Sequence, residues 1–241
     1  MKGNFLLSAH GASAEPDIFA DKSALVLEWL LMEGFGKGAF SLREVALETQ
    51  VSLGLVQRIF ETLVREGHLS TVGVRTAKRF KLSRPERLLQ SWLDHYSIVK
   101  KCKMWTYRTA LVDLDEARRV VGGPQLRNGV ALALHSSADE QGVKNTNLAT
   151  LELYLLEEKA RPGLERKLKL DPQERGYEVL LIKPYYKGML SKSAGKQGAR
   201  LQCSPPLLTF LDLYHFPLRG REQAEFMANR IPELKRIYKR G

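Results

Sequence analysis

Two helix-start signals follow one another between residues 41 and 82, and this stretch constrains the fold more than any other part of the chain. Ser41 and Glu44 have the spacing of a capping box, which predicts a short helix beginning at the next residue. Ser52 is the residue type of a second N-cap, and Gly67 is the expected stop of the helix that follows. Within that second helix the apolar residues recur every three or four positions, as on one buried face: Val56, Ile59, Phe60 and Leu63.

The same periodicity leaves six residues largely on the other faces of the second helix: Leu53, Gly54, Gln57, Arg58, Glu61 and Arg65. After Gly67, residues 68–72 and 79–82 predict two strands joined through Gly73. The tip and the second strand carry the cations of this hairpin: Arg75, Lys78, Arg79 and Lys81. Helix, turn, helix and basic hairpin in this order are typical of a winged helix-turn-helix. The alternative is a small helical domain whose charges only face solvent.

A net charge of +11 and a pI near 9.7 favour an anionic partner, and nucleic acid is the commonest such partner. We therefore predict binding of double-stranded DNA, with the N-terminal turn of the second helix, at Leu53 and Gly54, entering the major groove. Side-chain chemistry assigns Gln57 and Arg58 to base edges, because Gln pairs with adenine and Arg with guanine. Phosphate contacts are predicted from the helix starts and the wing: Ser41, Arg43, Ser52, Arg75, Lys78 and Arg79.

The chain of 241 residues is long enough for two modest cores. We predict an α+β protein with four parts: a flexible N-terminal arm (residues 1–20), the winged-helix domain (21–83), a connecting helix (84–100) and a mixed α/β domain (101–241). Ser83 and Ser204 are the predicted N-caps of two later helices. Predicted strands cover 104–109, 130–134, 148–156 and 177–182. Predicted helices lie at 115–121 and 164–168, and a last helix begins at Arg219. A turn is predicted at 161–163 and a loop at 187–200.

The remaining composition excludes several classes of site. Cys102 and Cys203 lie far apart and have no Cys or His neighbour at ligand spacing, so we expect free thiols and no zinc site. There is no phosphate-binding loop with a Gly-rich run before Lys-Ser or Lys-Thr. No run of apolar residues reaches membrane-spanning length. We therefore expect a cytoplasmic protein with no catalytic residues, no metal, no cofactor and no membrane partner.

Three segments carry a resemblance to a known family. They are the junction at 84–89 with Trp92 and Tyr96, the run Leu-Leu-Thr-Phe-Leu-Asp-Leu at 207–213, and Arg-Gly-Arg-Glu-Gln-Ala-Glu at 219–225. The last two are similar to the "YLDL" and "GRGREQAE" signatures of the AbiEi-like antitoxins. The chain therefore resembles these transcriptional regulators of type IV toxin–antitoxin and abortive-infection systems from about Ser23 onward.

The resemblance implies a winged-helix domain that represses its own operon and a C-terminal domain similar to a nucleotidyltransferase. An active nucleotidyltransferase needs a Gly-Ser pair after one strand and two metal-binding carboxylates on another. The matching segments, 134–138 and 150–155, lack the glycine and retain only Glu152, with Tyr154 in the partner position. Because one carboxylate cannot build a two-metal site, we expect a degenerate, catalytically silent domain and no enzyme activity.

Two other functions stay open at this level. In other members of the family the C-terminal part neutralises a separate nucleotidyltransferase toxin, so the chain is alternatively a protein-interaction antitoxin with a cognate toxin partner and little DNA specificity. The second alternative is a magnesium-dependent nucleotidyltransferase. A second copy of the chain is a further candidate partner, because many winged-helix repressors bind two-fold operators as homodimers.

Overall fold

The computed structural model describes residues 17–73, 78–194 and 201–239. Its front half, up to residue 82, contains three helices and a hairpin. Helix α1 spans Asp21–Met32, α2 spans Leu42–Thr49 and α3 spans Leu53–Arg65, followed by strands β1 (Leu69–Val72) and β2 (Arg79–Leu82). The predicted elements of this half are therefore present within the described residues.

Local capping sets the ends of α2 and α3. The Ser41 hydroxyl accepts from the Glu44 backbone N–H at 3.2 Å, and the Glu44 carboxylate accepts from the Ser41 backbone N–H at 3.5 Å, which confirms the capping box. Gln50 ends α2 in the left-handed region at φ 56°. Gly67 follows α3 with φ +74°, a conformation that glycine adopts without strain, and this confirms the predicted stop.

The hairpin is joined to the helices by aromatic packing. Strands β1 and β2 pair antiparallel, with Leu69 opposite Leu82. Phe40, between α1 and α2, makes an antiparallel bridge to Phe80, so a third short segment lies beside β2. Phe40 also packs edge-on against Trp29 of α1 and Phe60 of α3. These contacts fix the hairpin relative to α3.

The rear half consists of a mixed sheet and nine helices in the described part of the chain. The elements in order are α4 (Pro85–His95), α5 (Ile98–Lys101), β3 (Lys103–Thr109), α6 (Leu114–Gly122), β4 (Val130–Leu132), α7 (Leu134–Glu140), β5 (Leu151–Leu155), α8 (Arg161–Lys167), β6 (Leu170–Pro172), β7 (Val179–Lys183), α9 (Lys187–Ala194), α10 (Pro206–Tyr214), α11 (Gly220–Arg230) and α12 (Pro232–Ile237). The α+β class is confirmed.

The sheet has the strand order β4-β5-β7-β3-β6. Only β5 and β7 run parallel, with Leu153 opposite Leu181, and the other neighbours are antiparallel. Alternate residues of the central strands are buried on opposite faces, so that each face has its own apolar cluster. No helix in the described ranges is long and apolar enough to cross a membrane.

One of the two clusters spans both halves of the chain. It joins the inward residues of α1 and α3, in the front half, to those of α4, α10, α11 and α12, in the rear half, so the core is continuous across the domain boundary predicted at residue 100. Polar contacts reinforce the join, since the Trp92 indole Nε1 donates to the Tyr186 hydroxyl at 2.7 Å and that hydroxyl donates to the Phe19 carbonyl at 3.0 Å. The smaller cluster lies between the other face of the sheet, α6 and α8.

Tertiary packing overturns two predictions of irregular structure. The predicted loop at 187–200 contains helix α9 up to Ala194, and residues 195–200 lie outside the described residues. Met189 and Leu190 are buried, and Asp21 of α1 accepts a hydrogen bond from the Gly188 N–H at 2.9 Å, so packing on α1 outweighs the Gly, Ser and Lys content. The predicted turn at 161–163 is the first turn of α8, where a proline is well tolerated.

The ends of other elements also differ from prediction. The N-caps of α4 and α10 are Arg84 and Pro205, because the prolines at 85 and 206 are the first helical residues, so Ser83 and Ser204 do not cap. The connecting segment contains two helices, α4 and α5, and strand β6 and helix α12 were not predicted. The predicted arm lies outside the described residues up to 16, whereas Ile18 and Phe19 at its end are buried.

Candidate nucleic-acid interface

Helix α3 has one buried and one exposed face. Its apolar residues at the predicted spacing are all buried: Val56, Ile59, Phe60 and Leu63. Its predicted reading residues are all exposed: Leu53, Gly54, Gln57 and Arg58. The burial of one face in the core therefore leaves the other open to a partner, as the periodicity of the sequence predicted.

The first turn of α3 is open at its surface. Ser52 is the N-cap residue and is exposed, and its side chain makes no capping hydrogen bond. Apart from the adjoining residues and the backbone of α3 itself, no atom lies within 4 Å of where a Cβ on Gly54 would be. Leu53 is 44% exposed, so its side chain lies at the same surface. A large partner can therefore approach this helix start closely.

The predicted phosphate contacts on α2 lie beside this turn. The Ser41 hydroxyl already accepts the Glu44 backbone N–H, but its own O–H remains a possible donor. Arg43 is exposed on the first turn of α2. Both residues line the same cleft as the start of α3.

The predicted cations of the hairpin differ in their surroundings. Lys78 is exposed, with its ammonium 5.4 Å from the centre of the Phe80 ring. Arg79 is held at the base of the hairpin, where Nη2 donates to the Ala39 carbonyl at 2.7 Å and lies 3.7 Å from the Glu44 carboxylate. Arg75 lies outside the described residues. Of the two wing cations that the structure describes, Arg79 is therefore restrained by neighbouring groups and Lys78 is exposed.

A cleft of about 890 Å³ lies between the start of α2, the exposed side of α3 and strand β2. It brings together five of the predicted residues, Ser41, Arg43, Leu53, Gln57 and Lys78, whereas Ser52, Gly54, Arg58 and Arg79 do not line it. It also contains Glu61 and Arg65, which the sequence analysis placed outside the buried face but gave no role in binding. Their positions four and eight residues after Gln57 were the available signal, because this spacing continues one helical face.

The rear half holds the two segments in which the resemblance predicts a degenerate nucleotidyltransferase site. Glu152, on β5, is completely buried, and its Oε2 accepts from the Ser136 backbone N–H at 2.9 Å and from the Ser136 hydroxyl at 2.6 Å. The other oxygen, Oε1, accepts from the Tyr177 hydroxyl at 3.3 Å. This carboxylate therefore ties the start of α7 to the sheet.

Two other residues of the predicted nucleotidyltransferase segments, Leu134 and Tyr154, also have structural constraints. Leu134 stands at the strand-to-helix turn with φ 46°, a left-handed conformation that is rare for a branched residue. Tyr154, two residues after Glu152, donates to the Asp212 carboxylate at 2.5 Å. Within the described residues, no three His, Cys, Asp or Glu side chains form a group able to hold a metal ion.

A comparison with protein families gives one match. Residues 81–232 match the family described as transcriptional regulator, AbiEi antitoxin, type IV toxin–antitoxin system. This is more than half of the chain. The chain belongs to the AbiEi antitoxin family. Comparisons with curated proteins and with solved structures found no match.

The match to the AbiEi family begins within strand β2 and ends at the start of α12. It covers the whole mixed sheet, while α1, α2 and α3 precede it. Both signature-like segments lie inside it, since 207–213 is most of α10 and 219–225 is the start of α11. The resemblance noted in the sequence is therefore confirmed for residues 81–232 of the chain.

The structure gives physical reasons for two residues of the AbiEi-like segments. Asp212 is completely buried and accepts from the Tyr96 hydroxyl at 2.7 Å as well as from Tyr154. Gly220 is buried where α11 begins, and a Cβ there would lie 2.7 Å from the Phe216 Cβ. The first residue joins three elements by hydrogen bonds and the second permits a close approach of backbone, so both are required by packing.

Proposed function

We propose that the chain is a sequence-specific DNA-binding regulator that represses its own operon. In this proposal α2, α3 and the β1–β2 hairpin form a winged helix-turn-helix at 21–83, followed by a connecting segment (84–100) and a nucleotidyltransferase-like domain (101–241). The observation that carries it is the open face of α3, where Gln57 and Arg58 are exposed while the opposite face is buried. Membership of a family of transcriptional regulators supports it.

In the proposed complex, α3 enters the major groove with its first turn foremost. Gln57 and Arg58 contact base edges, and Leu53 and Gly54 allow the helix start to approach the bases. Arg43 and Lys78 line the same cleft as Gln57, and their cations suit contacts to phosphates of the bound duplex. The net charge of +11 adds affinity for any duplex.

The substitution Arg58→Ala is expected to lower discrimination between cognate and scrambled duplexes by about 1 to 3 kcal/mol, because a bidentate arginine–guanine contact is lost. Binding to scrambled DNA should change little. Gel-shift titrations of the full chain on both duplexes, at several salt concentrations, measure the two affinities separately.

Lys78→Ala is the matched control, since it removes one positive charge from the exposed hairpin instead of from α3. It is expected to weaken binding to both duplexes equally and to reduce the salt slope by about one, as for a phosphate contact. If Arg58→Ala behaves like Lys78→Ala, Arg58 does not read a base. If both variants bind like the parent, α3 is not the DNA-recognition helix.

A second candidate function is neutralisation of a separate toxin by the rear half. The family match supports it, because the family is one of antitoxins and the matched residues, 81–232, all follow α3 in the chain. Co-expression of the tagged chain with its neighbouring genes, followed by affinity purification, is expected to recover a toxin in a fixed ratio. Arg58→Ala should retain that partner, whereas loss of the partner would place toxin binding on the DNA-reading surface.

We infer further that the rear half performs no nucleotidyl transfer. Glu152 is fully buried and both of its oxygens accept hydrogen bonds from Ser136 and Tyr177, so it is committed to packing. The position where a second carboxylate would stand is Tyr154, whose hydroxyl donates to Asp212. These contacts support a structural role for the segments that would carry a nucleotidyltransferase site.

A further inference from the structure

Gln57 and Glu61 lie one helical turn apart on the exposed side of α3. The Gln57 amide nitrogen Nε2 donates to Glu61 Oε1 at 3.0 Å, and both side chains line the cleft between α2, α3 and β2. The spacing of four residues holds the two side chains next to each other along the helix. Sequence reasoning assigned Gln57 to a base edge but gave no role to Glu61.

The chemistry of the pair determines how the amide is turned. An amide has an acceptor oxygen at one end and two N–H donors at the other, and a half-turn about its last bond exchanges them. A carboxylate can only accept, so Glu61 pairs with the nitrogen end and disfavours the turned amide. Adenine presents an acceptor, N7, beside a donor, the N6 amine, so it requires both ends of the amide in one fixed order.

We infer that Glu61 is a positioning residue that makes Gln57 an adenine reader, and this inference rests on the proposed function. The Glu61 carboxylate holds one N–H of the amide. The second N–H and the carbonyl oxygen of Gln57 then face the duplex and pair with N7 and N6 of adenine. Glu61 itself contacts no base, and its negative charge lies on the same cleft as Arg43 and Lys78.

The test begins with the parent chain and a library of randomised duplexes. Selection should enrich adenine at one position, and Gln57→Ala identifies that position by removing the preference. Affinities for four duplexes that differ only at that position are then measured for Glu61→Ala, Glu61→Gln and Glu61→Lys at one salt concentration.

Each variant has a distinct expected result. Glu61→Ala should lower the adenine preference by about fivefold or more, since an oriented base contact is worth at least this much, while binding to scrambled DNA stays equal or rises as a negative charge is lost. Glu61→Gln retains an acceptor oxygen and should retain most of the preference. In Glu61→Lys the new ammonium group can only donate, so it should pair with the Gln57 amide oxygen. The Gln57 NH₂ group would then face the bases. This variant should favour guanine, because guanine O6 and N7 both accept.

The control is Glu140→Ala, which removes the same charge from an exposed position on α7 and should leave the adenine preference unchanged. If Glu61→Ala and Glu61→Lys keep the parent's preference, the inference is wrong although the chain remains a sequence-specific regulator. If the parent enriches no sequence, the proposed function is wrong and the inference falls with it. The two failures are therefore distinguishable.

Discussion

Replacing Gly220 by alanine is expected to lower the free energy of unfolding by about 3 kcal/mol or more, the upper part of the range for overpacked sites. The added Cβ would collide with the carbonyl oxygen of Leu213 and would lie 2.7 Å from the Phe216 Cβ. One of these atoms is backbone, so the clash cannot be relieved by a change of rotamer. The start of α11 would have to move away from the end of α10.

Urea denaturation followed by circular dichroism measures this loss. Gly163→Ala is the matched control, because this glycine is also in the first turn of a helix and nothing lies within 4 Å of its Cβ position. The control is expected to stabilise the chain by up to about 1 kcal/mol, since alanine favours helix more than glycine does. Equal stabilities of the two variants would contradict the close approach at Gly220.

The second large effect is a pH dependence that arises from Asp212. This carboxyl group is completely buried, and burial raises its pKa to about 7, although hydrogen bonds from Tyr154 and Tyr96 oppose the rise. Because the folded-state pKa lies above the usual value near 3.8, the folded state binds the proton more tightly than the unfolded state. The stabilisation is therefore complete below about pH 4 and is lost as the pH rises towards 7.

The variant Asp212→Asn removes the titration while keeping the size of the side chain. Relative to this variant, the parent is expected to gain about 3 kcal/mol of stability between pH 7.5 and pH 4.5, since one pKa unit corresponds to about 1.4 kcal/mol. Urea titrations of both proteins at four pH values give the difference directly. Asp115→Asn, an exposed substitution on α6, should follow the parent, and parallel curves for the parent and Asp212→Asn would contradict a buried titrating carboxyl.

Local signals account for what the sequence predicted correctly. The capping box at Ser41 and Glu44, the stop at Gly67 and the apolar period of α3 each depend on residues within a few positions of one another, and all three are present. Helix α9 could not be predicted in this way. Its stability depends on Asp21 and on the face of α1, which lie more than 150 residues earlier in the chain.

In the candidate site too, some features follow from residues close in sequence and others depend on distant residues. The outward residues of α3 follow from its period, and Lys78 follows from the basic hairpin. The restraint on Arg79 does not, because its guanidinium reaches the Ala39 carbonyl, 40 residues away. The spacing of Glu61 from Gln57 is local and visible in the sequence, whereas the hydrogen bond between their side chains, on which the proposed role of Glu61 rests, is seen only in the structure.

The shared apolar cluster that joins α1, α3 and α4 to α10, α11 and α12 has a consequence for how such a protein can change over evolutionary time. Genes that encode separable modules can recombine and exchange one module for another. Here a crossover near residue 100 would bring together two interiors that had not been selected to fit. Changes to the interior of one half are therefore constrained by the side chains that the other half packs against them.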